Sequence, residues 1–185
     1  MLAEIEQIIA AKQKVPSYVY RNLWRRLLPP SLDYENIVFL CIGSNRSTGD
    51  AFGPLVGTYL KDRGYTNVYG TIDNPVHQHN IEEAVKKIPS QKRVIAIDAA
   101  LGNINHVGYL FLEEGPIFPG SGVGKNIPPV GDYHIKGIVN INAGYQNQLL
   151  LMSTQLDRVM DMSKLTAFLL GWIFPKPQLK NESIG

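Results

Sequence analysis

The spacing of the hydrophobic positions alternates along the chain between continuous runs and helical periodicity, and this alternation predicts an α/β fold. The run 36–42 (NIVFLCI) is continuously apolar and of strand length, as expected for a central parallel strand covered on both faces. The run 93–98 (RVIAID) has the same character, and weaker strand patterns cover 68–72, 107–112 and 135–141. Strands that alternate with helical patterns predict a twisted, mostly parallel sheet between helices, a three-layer α/β/α arrangement.

Helical patterns fill the intervals between these strands. Asp50 opens a pattern of apolar residues that Gly64 closes, as glycine often does at a helix C-terminus. Asn80 is predicted as the N-cap of a second helix, which ends at Pro89. From 145 to 173 the spacing predicts a long helical segment.

The length of 185 residues predicts a single domain over 1–185. A helical lead-in, 1–30, precedes an α/β core over 36–173, and a frayed tail follows over 174–185. Trp24 lies among apolar residues of the lead-in. That pattern fits packing on the sheet and self-association into a homo-oligomer equally well.

Composition narrows the class of protein. The hydrophobic fraction of 44% and the charged fraction of 18% are ordinary for a globular protein. The net charge is only +2, so we expect no nucleic-acid partner. The N-terminus lacks a basic segment before an apolar one, and no run reaches the ~18 apolar residues of a spanning helix. We therefore expect a cytoplasmic protein with no membrane partner.

Two acids are predicted at the edge of the sheet where open α/β folds bind ligands, outside the carboxyl ends of the strands. Asp50 follows the strand 36–42 through the loop GSNRSTG, and Asp98 ends the strand 93–98. An acid at the end of an apolar strand is costly unless it is solvated or paired. We predict that both acids belong to one site, with a simple N-cap role for Asp50 as the alternative.

Two loops and two histidines supply the other candidates. The substrate-binding candidates are Ser44, Asn45, Gly120, Ser121 and Gly122, and the candidates for a third polar group are His77 and His134. The glycines of GSNRSTG are expected to let the backbone approach a substrate closely. The spacing of His77 and His79 is more typical of a polar surface loop than of a metal site. We expect no metal and no cofactor.

Three segments, in order, resemble the spore germination protease family. They are FLCIGSNRSTGDAFGPLVG, VIAIDA and PGSGVG. They are also distantly similar to the hydrogenase-maturation endopeptidases. The chain length and the stretch YLFLEEGPIFPGSGVGK fit best with the YyaC-type sporulation proteins, a group related to the germination protease. The resemblance covers residues 36–172.

The resemblance implies a peptidase in which Asp50, in DAFGP, and Asp98, in IDA, are catalytic. It also implies a protein or peptide substrate, with small acid-soluble spore proteins cleaved by the better-known relative, and a location in the forespore or mother cell of a spore-forming bacterium. One carboxylate would act as general base on a water, and the other, protonated, would polarise the scissile carbonyl.

Two alternatives stay open. One is a non-catalytic binding or regulatory protein of sporulation on the same fold, because Phe118 stands where the resemblance leads us to expect a histidine before PGSGVG. The other is a metal-dependent amidase that would use Asp50, Asp98 and either His77 or His134.

Overall fold

The structure is a computed structural model that describes residues 16–119 and 128–177. Its described strands form one mixed sheet in the order β2-β1-β3-β5-β4. The strands are β1 Ile37–Cys41, β2 Val68–Tyr69, β3 Arg93–Gly102, β4 Leu110–Glu114 and β5 Tyr133–Ile141. All neighbours pair in parallel except β4, which lies antiparallel to β5 at one edge. The predicted mostly parallel α/β fold is confirmed.

Helices cover this sheet. Their bounds are α1 Ser17–Leu27, α2 Phe52–Asp62, α3 Ile81–Lys86, α4 Asn147–Met152 and α5 Leu156–Ile173. The long helical segment predicted from 145 to 173 is therefore two helices. Between them, the Ser153 hydroxyl donates to the Leu149 carbonyl at 2.8 Å and the Thr154 hydroxyl to the Leu150 carbonyl at 2.7 Å. Such side-chain bonds to the preceding turn compete with a continuing helix.

The sheet is buried on both faces by unequal layers. On one face the odd residues of β3, such as Ile95 and Ile97, pack in the larger core cluster, to which α2 and α5 contribute. On the other face Ala96 packs in a smaller cluster with Val76 and with Ile81 of α3. Every residue of β1 is buried, as predicted for a central strand.

The described part of the lead-in packs on the core. Tyr20 and Trp24 of α1 are buried, with their rings edge to face at 6.1 Å. Leu23 and Leu27, also in α1, are 52% and 53% exposed. Of the two roles predicted for the apolar residues of the lead-in, Trp24 therefore has the first, packing on the core. Residues 1–15 lie outside the described part of the chain.

The start of the predicted tail also belongs to the core. Phe174 is buried and packs edge to face against Phe39 at 5.9 Å. Its carbonyl accepts a hydrogen bond from the Tyr65 hydroxyl at 2.9 Å. The core therefore extends past residue 173, and residues 178–185 lie outside the described part.

Two strands differ from the prediction because of glycines with positive φ. β2 ends at Tyr69 since Gly70 has a φ of +92° and turns the chain away from the sheet. β4 begins at Leu110, later than predicted, because a 3₁₀ turn occupies Ile104–His106 and Gly108 has a φ of +93°. None of the described helices is both long and apolar enough to cross a membrane.

Candidate functional site

The loop after β1 folds back onto the ends of two strands. The Ile42 amide donates to the Ile97 carbonyl at 2.7 Å, and the Gly43 amide donates to the Val76 carbonyl at 2.8 Å. The Ser44 amide donates to the Asp50 carbonyl at 3.1 Å, which closes the loop. Asp50 is thereby returned to the carboxyl end of β1.

Glycines make this fold-back sterically feasible. A Cβ on Gly53, in the first turn of α2, would lie 2.1 Å from the Ile42 carbonyl oxygen and 2.8 Å from that of Ile97. A Cβ on Gly43, whose φ is +143°, would lie 2.0 Å from the Asp50 carbonyl oxygen. The expectation that the loop glycines serve a substrate is wrong for Gly43, because its free space is filled by the protein's own backbone.

Asp50 lies within a 3₁₀ turn, Gly49–Ala51, that leads into α2. The N-cap position of this turn is Thr48, and that of α2 is Ala51. The alternative in which Asp50 is simply an N-cap residue therefore does not match the structure. Its side chain is half-buried at the carboxyl end of β1.

The sequence predicts Asp98 at the end of its strand, and this is wrong, because β3 continues to Gly102. The pairing of β1 with β3 nevertheless stops at Cys41 and Ile97. Asp98 is therefore the first residue of β3 beyond the carboxyl end of β1. It is 6% exposed, and its Oδ1 accepts a hydrogen bond from the Ala99 amide at 2.8 Å.

Both predicted acids are thus placed at one edge of the sheet. The 3₁₀ turn that carries Asp50 contacts β3, which carries Asp98. We refer to Asp50, Asp98 and the surrounding residues 42–53 as the carboxyl-edge site. Two carboxylates can divide acid and base roles where they lie close together, because two neighbouring negative charges resist forming at once.

A charged cluster that the sequence only partly predicts adjoins Asp98, and it consists of Glu113, His134 and Lys136. The Lys136 Nζ donates to the Glu113 Oε2 at 2.6 Å, and the His134 Nε2 lies 2.9 Å from the same oxygen. Asp98 and Lys136 are register partners on β3 and β5. Register partners on neighbouring strands project to the same face of a sheet, so the cluster shares the face of Asp98.

Hydrogen bonds hold the side chains of this cluster in place. His134 is 5% exposed, and its Nδ1 lies 2.8 Å from the Gly115 carbonyl oxygen, which can only accept. Its Nε2 lies 2.9 Å from the Glu113 Oε2, so both ring nitrogens have a polar partner. The hydrogen bond from Lys136 is the main cause that lowers the pKa of Glu113 below its ordinary value, with the bond to His134 adding to it. The sequence reasoning did not select Lys136, although a lysine between the apolar residues Ile135 and Ile138 is a signal that could have found it.

His77 follows Val76, whose carbonyl binds Gly43, so it lies at the same edge of the sheet. Its ring is tied into its own loop, where Nδ1 accepts from the His79 amide at 3.3 Å. The predicted N-cap, Asn80, uses its side chain in the same loop and accepts the His77 amide at 2.8 Å. Among residues 16–119 and 128–177, no three His, Cys, Asp or Glu side chains are grouped as a metal site requires.

The other predicted substrate-binding residues divide into two sets. The Ser44 hydroxyl accepts from the Arg46 amide at 3.1 Å, and the Asn45 amide group donates to the Ile72 carbonyl at 3.2 Å. Ser44 therefore stabilises the loop itself, whereas Asn45 ties the loop to the segment after β2. The remaining three, Gly120, Ser121 and Gly122, lie outside the described residues.

Helix α4 packs against the turn that carries Asp50. A Cβ on Gly49 would lie 2.9 Å from both the Cδ2 and the carbonyl oxygen of Leu151. The outer side of this region carries an apolar stripe, whose exposed fractions are 94% for Tyr145, 68% for Leu149, 55% for Met152 and 57% for Leu156. Exposed apolar residues grouped in this way are typical of an interaction surface.

Comparisons with known proteins agree with this fold. A family model described as "Protein of unknown function (DUF1256)" matches residues 9–168. The chain is 45% identical over 136 residues to "Uncharacterized protein YyaC" of Bacillus subtilis (strain 168), an alignment that covers 71% of this chain and 66% of that protein. The match thus spans just under two thirds of that relative's length.

Two solved structures from Thermococcus kodakarensis have a similar fold. The [NiFe] hydrogenase maturation protease HycI has a TM-score of 0.55 at 16% identity, covering 83% of this chain and 99% of its own. The [NiFe] hydrogenase maturation protease HybD has a TM-score of 0.50 at 15% identity, covering 75% of this chain and 98% of its own. At such low identities the structural similarity shows a shared fold alone. The α/β fold that the resemblance to maturation endopeptidases implies is thereby confirmed.

Proposed function

The chain belongs to the family described as protein of unknown function (DUF1256), and from that premise and its carboxyl-edge site we propose that it is a peptidase of the germination-protease type. One observation carries the proposal. The 3₁₀ turn before α2 and the middle of β3 bring Asp50 and Asp98 to the same end of β1. This is the place where α/β sheets bind their ligands.

In the proposed mechanism the two acids hydrolyse a peptide bond with one water molecule. One carboxylate takes a proton from the water as its oxygen attacks the scissile carbonyl carbon. The other, protonated, donates a hydrogen bond to the carbonyl oxygen, and proton return to the leaving nitrogen completes cleavage of the C–N bond. The burial of Asp98 and the partial burial of Asp50 support this division, because burial increases the cost of ionising both acids together.

The surface beside the site supports a polypeptide as the substrate. The apolar stripe runs from Tyr145, before α4, across the outer side of α4 to Leu156, and Leu151 on the inner side of α4 packs against the turn of Asp50. Residues 137–156 contain no Asp, Glu, Lys or Arg, so this surface fits an uncharged, apolar segment of a substrate chain. We extend the proposal to spore proteins, and to the forespore or mother cell, on the resemblance to germination proteases alone.

A non-catalytic binding protein of sporulation is the second candidate, and two observations favour it. The Ser44 hydroxyl is bonded to the Arg46 amide within the loop, and the Asn45 side chain is bonded to the Ile72 carbonyl, so both already have protein partners. Phe118, at the position where the resemblance expects a histidine, is exposed. On this alternative the apolar stripe would hold a partner protein, or a second copy of the chain, without turnover.

Cleavage assays separate the two candidates. We would incubate the purified protein with small acid-soluble spore proteins and with unfolded casein, and compare Asp50→Asn, Asp98→Asn and the exposed control Asp73→Asn. The proposal predicts cleavage by the wild type and the control and a loss of at least about 100-fold in either site variant, the scale of general acid–base catalysis. Binding of these proteins without cleavage by the wild type would favour the non-catalytic candidate. Cleavage abolished by a chelator and restored by a divalent cation would favour the metal-dependent amidase.

A further inference from the structure

A row of alternating charges crosses three strands next to the carboxyl-edge site. It runs from Asp98 on β3 to Lys136 on β5 and to Glu113 on β4. Lys136 thus has one acid as its register partner and another within hydrogen-bond distance. The proposed function assigns no role to Lys136.

The lysine is held in place from the side away from Asp98. Its Nζ is bonded to the Glu113 Oε2 at 2.6 Å, and the same carboxylate oxygen lies 2.9 Å from the His134 Nε2. The His134 ring is itself anchored by the Gly115 carbonyl at 2.8 Å and is buried. This charge-assisted hydrogen bond limits the motion of the ammonium group, whose side chain rises from β5 as the register partner of Asp98.

Among residues 16–119 and 128–177, four titratable groups are placed near Asp98 by strand register, hydrogen bonding or element contact. From β5 come Lys136, its register partner, and His134, which pairs with Ala96 one step earlier on the same face. Glu113 of β4 is hydrogen-bonded to Lys136, and Asp50 lies on the turn that contacts β3. The nearest of these by register is the positive one, and burial makes the attraction stronger than it would be in water.

We infer that Lys136 is a positioning residue that holds Asp98 in its ionised form, so that Asp98 is the general base and Asp50 carries the proton. The assignment of catalytic roles rests on the proposed function, whereas the charge state of Asp98 does not. A buried acid beside a fixed ammonium ionises more readily, and a second acid close to that carboxylate ionises less readily. The charge row therefore breaks the symmetry between the two aspartates.

Carboxyl ¹³C NMR titration of the free protein tests the charge state directly, with the Asp98 signal assigned by its loss in Asp98→Asn. Lys136→Met should raise the apparent pKa of Asp98 by about one unit or more, the usual effect of losing an adjacent opposite charge. Lys136→Arg should restore it, which a merely structural role of the methylene chain would not explain. Lys86→Met, on α3 away from the row, is the control and should leave it unchanged.

Glu113→Gln gives a change of opposite sign. It removes a negative charge and frees Lys136 for Asp98, so the pKa of Asp98 should fall. An unchanged apparent pKa of Asp98 in Lys136→Met would overturn the inference. A rise in that pKa in Glu113→Gln would overturn it as well. If cleavage is observed, the acidic limb of kcat/KM should move to higher pH in Lys136→Met. Absence of cleavage would contradict the proposed function while leaving the titration result standing.

Discussion

Gly53 is the residue whose replacement tests the geometry of the carboxyl-edge site most sharply. A Cβ there would lie 2.1 Å from the Ile42 carbonyl oxygen and 2.8 Å from that of Ile97. Both obstacles are backbone atoms of paired strands, so the start of α2 must move away from the sheet. Overpacking of this kind typically costs about 2 kcal/mol. For a chain of this length that corresponds to a fall in Tm of roughly 4–8 °C.

Thermal unfolding of Gly53→Ala, followed by circular dichroism, measures this cost. Gly171→Ala is the matched control, because Gly171 is also helical, in α5, and a Cβ there would meet its nearest atom at 3.4 Å. The control should keep or raise the Tm, since alanine favours a helix over glycine by about 1 kcal/mol. A Gly53→Ala protein as stable as the wild type would refute the close approach of α2 to β1 and β3, and with it the placement of Asp50.

Two further predictions concern the surface and the charged cluster. Leu149→Asp combined with Met152→Asp should weaken binding of unfolded casein at least about tenfold, as expected for losing two apolar contacts, and fluorescence anisotropy measures this. The control, Leu23→Asp combined with Leu27→Asp on α1, should leave the binding unchanged. Equal losses in the two double variants would contradict a specific role for the apolar stripe. Glu113→Gln should destabilise the protein by less than about 1 kcal/mol near neutral pH, because Glu113 is half exposed. The hydrogen bond from Lys136 lowers the pKa of Glu113, so its contribution is present above the ordinary glutamate pKa and is lost as the pH falls through the lowered value. Urea unfolding should show a smaller difference from wild type at pH 3 than at pH 7, and a larger difference at pH 3 would contradict this sign.

The fold could be predicted because its signals are local and strong. The uninterrupted apolar runs that became β1 and β3 are what a strand buried on both faces requires. The ends of the strands were less predictable, since they depend on how far each neighbouring strand continues to pair. Whether Asp98 ends a strand is decided by β5, which continues to pair with β3 after β1 has stopped.

The site could be predicted only in part for a similar reason. Position after an apolar strand was enough to select Asp50 and Asp98. Lys136 and Glu113 are far apart in sequence and meet only through the antiparallel register of β4 on β5. His134 was selected as a single histidine, but its role depends on two acceptors that β4 and the residue after it supply.

A double-mutant cycle on kcat/KM tests most directly whether Asp50 and Asp98 form one site. It compares Asp50→Asn, Asp98→Asn and the double variant in cleavage of spore proteins. Residues that act as a unit are strongly non-additive, so the account predicts that the double variant is no slower than the slower single variant. Losses that simply multiply, or single variants that cleave as fast as the wild type, would contradict a shared two-aspartate site.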